Sequence, residues 1–115
     1  MKTSNKHQNK KSADPIDKLI FEKGLRLKHL MIDRQLDLLV VILNNGSIIK
    51  THISDFPRLK NANPVQINNW SLAGKGIAIE WKDLDENLSL KGFIKSAMLN
   101  DAIQKLAGNG ISVFA

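Results

Sequence analysis

Six consecutive apolar residues, Leu38 to Leu43, are the longest such run in the chain, and that length limits what they can form. The run is far shorter than the roughly 20 residues that cross a bilayer. It suits a buried strand instead. Before it, Leu25, Leu27, His29 and Met31 alternate with Arg26, Lys28 and Leu30, a period of two that predicts a strand with one buried face. After it, Asn44, Asn45 and Gly46 tolerate positive φ at a hairpin, and a third strand follows over Ser47 to Ile53. With a turn at Asp33 to Gln35 and the second strand over Leu36 to Leu43, the three make an antiparallel meander with the apolar strand at its centre.

The chain has 115 residues, enough for one core. Met1 to Ser12 contains Lys2, Lys6, Lys10 and Lys11, no acid and no large apolar residue after Met1. Such a segment cannot offset its ordering entropy by burial, so residues 1–13 are expected to be a flexible basic tail and residues 14–115 a single domain. The tail carries most of the formal charge of +6. Its composition resembles the first region of a signal peptide, but Ser12, Ala13, Asp14 and Pro15 stand where an apolar stretch should follow. Cysteine is absent, which excludes disulfides and thiolate-ligated metals and leaves the cytoplasm as the expected location.

Asp14 or Ser12 with Pro15 marks a helix start, Ile16, Leu19 and Ile20 share one face, and Gly24 stops it. Asn63 and Pro64 predict a helix running to about Trp70. Gly76 to Trp81 reads as a fourth strand returning to the sheet, with Gly74 and Gly76 bending the chain into it. Ser89 is expected to cap a short helix, and Ser96 to Ala107 to form the last one, with Met98, Leu99, Ala102, Ile103 and Leu106 available for packing. The predicted class is therefore α+β in two layers: a three-stranded meander, a helix, a returning strand and a C-terminal helix.

Over Asp55 to Lys95, the residues Phe56, Pro57, Arg58, Leu59, Ala62, Trp70, Gly74, Gly76, Ile79, Trp81, Leu84, Asp85, Glu86, Leu88 and Ser89 form a pattern that resembles the bacterial domain of unknown function 2442 family. With the preceding meander, the resemblance covers about Leu25 to Lys95. Three positions depart from it: Glu80 and Lys82 stand where members tend to have His and Pro around the tryptophan, and Asn87 where they have a second Asp. No role for that histidine carries over. The resemblance implies the same α+β order of elements and no chemistry. It also implies a small protein encoded beside another, an arrangement suggestive of toxin and antitoxin pairs.

Asp83, Asp85 and Glu86 are the densest acid group. Two carboxylates at this spacing could hold a cation or act as an acid and base pair, but a calcium loop lacks its further oxygen ligands and central glycine. Acids before a helix start at Ser89, favoured by its dipole, are the commoner reading. His29 shares a face with Leu27 and Met31 and reads as a partly buried structural histidine. The glycines at 74 and 76 lack a third at Ile79, so nucleotide binding is discounted. Trp70 and Trp81 read first as core, and either becomes an interface anchor if exposed.

No catalytic constellation is visible and no cofactor is implied. The expectation is a non-enzymatic protein-binding or regulatory module, the antitoxin-like half of a two-protein system. It would bind a small protein through Phe56, Arg58, Trp81, Asp83, Asp85 and Glu86. The alternative is nucleic-acid association through Lys2, Lys6, Lys10 and Lys11, which would be weak and unspecific because neither arginine nor an aromatic lies among them. A leucine-rich last helix, if exposed, would favour a homodimer.

Overall fold

The computed structural model describes residues 14–108, so the expected tail of residues 1–13 lies outside the described residues. Asp14 caps the first helix, its carboxylate accepting the Ile16 N–H at 2.8 Å. Helix α1 (Pro15–Asp17) opens into a π turn over Lys18–Glu22, which buries Ile16 and Ile20, and Gly24 ends it at φ +77°.

Strands β1 (Leu27–Asp33), β2 (Leu38–Leu43) and β3 (Ile48–His52) form the expected antiparallel meander with β2 central. Gly46 turns the β2–β3 hairpin at φ +87°, and the Asn45 side chain accepts the Ser47 N–H at 2.9 Å. Leu36 is exposed in the β1–β2 turn, so β2 starts two residues later than the apolar pattern suggests.

The faces of β1 differ from the simple alternation. Leu27 pairs with Leu43 and His29 with Ile42, so β1 carries one extra residue, a β-bulge, between them. Beyond the bulge the alternation inverts. Leu30 is buried, while Met31 is 55% exposed and His29 is exposed with its ring edge-on to Trp70 at 5.6 Å. The predicted burial of His29 and Met31 is thereby corrected. The bulge coincides with a long-range contact: the Leu27 N–H leaves the ladder to donate to the Gly76 carbonyl at 2.7 Å. Gly76 must be glycine there, because a Cβ would lie 2.6 Å from the Leu27 carbonyl oxygen.

Helices α2 (Pro57–Lys60) and α3 (Pro64–Asn68) follow. Asn63 starts α3 with a reciprocal capping box, its side chain accepting from Gln66 N–H while the Gln66 side chain accepts from Asn63 N–H. The helix stops at Asn68, short of Trp70.

The returning strand does not pair with the meander. Strands β4 (Ser71–Ala73), β5 (Ala78–Trp81) and β6 (Glu86–Ser89) make a second antiparallel sheet in that order, joined to the first through the Leu27–Gly76 contact. One long helix, α4 (Leu90–Gly108), replaces the two short ones expected: Ser89 Oγ accepts the Gly92 N–H at 3.0 Å and caps it directly from the end of β6. The class is α+β, as the order of elements predicts. A single core joins Leu30, Leu39, Val41 and Ile49 of the meander to Leu59, Ile67, Ile79, Trp81, Leu90 and Phe93.

Candidate functional site

The two loops singled out from sequence meet in space. Arg58, on α2, donates through Nη1 to the Leu84 carbonyl at 3.3 Å and to the Asp85 carbonyl, and lies 3.7 Å from the Asp85 carboxylate. It thereby holds a 3-10 turn (Lys82–Leu84) and the left-handed Asp85, at φ +50°, against the 56–60 segment. Asp83 accepts from the Asn69 side chain at 2.8 Å, and the Glu86 carboxylate accepts the Asn87 N–H at 3.1 Å. The acids are therefore turn and strand residues, not the approach to a helix.

Trp81 is fully buried and donates its indole N–H to the Ile67 carbonyl at 2.8 Å. That position takes it off any surface a partner could touch. Trp70 is half-buried and packs against the core.

Beside these loops lies a groove of about 240 Å³ lined by Phe56, Asn87, Leu88, Ser89, Gly92, Phe93 and Ser96. Phe56 and Phe93 meet edge to face at 6.1 Å along it. One wall is β6, which pairs only with β5 among the described residues. Leu90 N–H donates to the Ile77 carbonyl, so in the antiparallel ladder residues 88 and 86 also face β5 while Asn87 and Ser89 turn their main-chain groups outward. The contact of the Asn87 N–H with its neighbour's carboxylate agrees. A free strand edge thus runs along a groove with an aromatic floor and no titratable lining side chain, chemistry suited to holding a peptide backbone and an apolar side chain.

Leu88, Gly92, Phe93 and Ser96 escape the sequence reading because the junction of β6 with α4 does. The Ser89 cap itself is legible; what escapes is that residues 86–89 before it form a strand.

Elsewhere, the Ser54 hydroxyl and N–H hold the Asp37 carboxyl below the usual carboxylate range, aided by His52 and Lys60. Among the described residues, no three His, Asp or Glu side chains gather as metal ligands, and no helix is long and apolar enough to cross a membrane.

These features define a small α+β protein of two three-stranded antiparallel sheets sharing one core, with a groove of about 240 Å³ between β6 and α4. A model of the DUF2442 family, described as proteins of unknown function, matches residues 32–98, more than half of the chain. The chain belongs to that family. A crystal structure of a protein of unknown function from Rhodospirillum rubrum matches with 26% identity and a TM-score of 0.56, over 64% of this chain and 88% of that one. A solution NMR structure of an uncharacterised protein from Chromobacterium violaceum matches with 21% identity and a TM-score of 0.60, over 84% and 87%; this likeness is one of fold. No curated protein matches the chain.

Proposed function

We propose that the chain is a protein-binding module that takes an extended segment of its partner along the outer edge of β6. The observation that supports this most is the outward edge of β6 at Asn87 and Ser89, along which no strand pairs among the described residues, beside the groove over Phe56, Leu88 and Phe93. Main-chain hydrogen bonds would supply affinity, and the groove would select an apolar side chain at alternate positions. Arg58, Asp83, Asp85 and Glu86 form the polar end of this surface. The partner is read as a small protein and the chain as the regulatory, antitoxin-like member of the pair, in keeping with the family resemblance.

Selection of a random-peptide library on the full chain tests the reading. Enriched sequences should carry an apolar residue in an alternating pattern and bind less tightly to a Phe93→Ala variant. Recovery of no binding sequence removes the proposal.

A second reading rests on Lys2, Lys6, Lys10 and Lys11, with no acid among the first twelve residues. In that case nucleic-acid binding falls steeply between about 50 and 200 mM salt and is lost on deletion of residues 1–12. Salt-insensitive binding, or binding that survives the deletion, removes it.

A further inference from the structure

Gly92 stands at the third position of α4, where its N–H donates to the Ser89 hydroxyl at 3.0 Å. Nothing in the backbone asks for glycine there. Its φ is helical, since the glycines with positive φ are Gly24, Gly46, Gly74 and Gly76. A Cβ added to it meets Ser89 Oγ at 3.2 Å and, its chain neighbours and the helix backbone aside, no other atom within 4 Å. Capping does not forbid a side chain at this place: in α3 the same position, third after the Asn63 cap, carries Gln66. Glycine is also the weakest helix former after proline. The fold therefore carries a weak residue here without using it, and the space its side chain would take belongs to the wall of the groove over Phe56, Leu88 and Phe93.

The groove says what enters the space left open. At about 240 Å³ it is smaller than the roughly 300–1,000 Å³ that enclose a whole small molecule, and it suits one large side chain. No titratable group lines it, so that side chain is uncharged. Phe56 and Phe93, edge to face at 6.1 Å, offer a third ring the offset and edge contacts that aromatic rings prefer. One turn beyond Gly92, about 6 Å along the axis at 1.5 Å per residue, Ser96 lines the same groove. Its hydroxyl has no hydrogen-bond partner among the described residues. A ring that enters over Gly92 brings a para hydroxyl to that distance. We infer that the groove is a tyrosine pocket, in which Gly92 sets the width and Ser96 bonds the phenol oxygen at the solvent end.

The pocket rests on the reading of β6 as a peptide-binding edge and gives that edge its anchor residue. In a strand added to β6 only every second side chain faces α4, so one tyrosine is selected and not a run of aromatic residues. Phenylalanine would leave the Ser96 hydroxyl beside an apolar ring edge, and leucine would forgo the ring contacts, so each binds less tightly.

Blocked amino acids separate the pocket from the edge, because each carries one side chain and no extended segment. The isotope-labelled full chain is titrated with N-acetyltyrosine amide, N-acetylphenylalanine amide and N-acetylleucine amide while its backbone amide resonances are followed. The tyrosine probe should shift Leu88, Gly92, Phe93 and Ser96 with a Kd on the order of 1–10 mM. It should bind about three times tighter than the phenylalanine probe and about ten times tighter than the leucine probe. Gly92→Ala, which introduces a better helix former, should keep its melting temperature within a few degrees and weaken the tyrosine probe at least about fivefold by narrowing the groove. Ser96→Ala should bring the tyrosine and phenylalanine probes to equal affinity. A tyrosine probe that binds no better than the leucine probe, or that binds a folded Gly92→Ala as tightly as the wild type, would overturn the pocket even where a selected peptide binds along β6. A tyrosine-selective groove in a chain that selects no peptide would uphold the pocket and remove the edge alone.

Discussion

Leu30 and Met31 are adjacent in sequence and opposite in fate, because the bulge before them reverses which side chains of β1 enter the core. Leu30→Asp places an unpaired charge in the core and should abolish cooperative unfolding, whereas Met31→Asp should change stability by no more than about 0.5 kcal/mol. Paired urea melts of the two variants check this, and the opposite ranking would restore the plain alternation. Sequence could not give the bulge, since its partner, the Gly76 carbonyl, lies far along the chain. Trp81 was legible as core, but its hydrogen bond to Ile67 was not. Trp81→Phe leaves that buried carbonyl unpaired and should cost about 1–3 kcal/mol in the same measurement.

At the scale of elements, α1 is clamped to the start of α4. The Lys91 ammonium, in the first turn of α4, lies 2.8 Å from the Asp17 carboxylate and 2.9 Å from that of Asp14, on either side of the α1 start. Asp17 and then Asp14 raise the Lys91 pKa, while Lys91 and the Ile16 N–H lower that of Asp14. Asp14 is favoured as an anion in the fold, so its contribution is present above its ordinary value of 3.8 and is lost as pH falls through the lower folded value. Lys91 is favoured as a cation, so its contribution is full below its ordinary 10.5 and is lost as pH rises through the higher folded value. Between those limits α1 stays docked. Lys91→Met should speed amide exchange over residues 16–22 at neutral pH and leave exchange in the meander unchanged; equal protection in both proteins would show that the apolar contacts of Ile16 and Ile20 hold α1 alone. These groups are half-buried and reach solvent, so the effect should shrink in high salt.

Local chemistry made several elements legible. The meander follows from its alternation and Asn-Gly turn, α1 from Asp14-Pro15 and Gly24, and α3 from the Asn63 cap. The second sheet was not legible, because the pairing of β5 with β4 and β6 is encoded in long-range packing and not in any local signal. The start of α4 was legible at the Ser89 cap, but its continuity through Ser96 to Gly108 was not, because Gly92 is a weak helix former which tertiary contacts at Leu90 and Phe93 override.

At the scale of the molecule, two sheets share one core, so the fold has strand edges to protect; β3 borders a cleft under α4 that includes Lys50, His52 and Asp55, and β6 borders the groove without a titratable lining side chain. Part of the candidate surface was legible: Arg58 does meet the Asp83 to Glu86 turn and Phe56 lines the groove, whereas Trp81 is structural and the groove residues of α4 came only from the packing. The central claim is that the edge of β6 itself receives the partner. Asn87→Pro tests it directly, since proline removes an N–H that points away from β5 and is tolerated on an outward edge. The affinity of a library-selected peptide for the full-length wild type and for Asn87→Pro should be compared by calorimetry, with melting temperatures recorded for both. The account predicts a loss of at least about tenfold in affinity with the fold intact. Equal affinity would contradict it, and would move the binding surface away from β6.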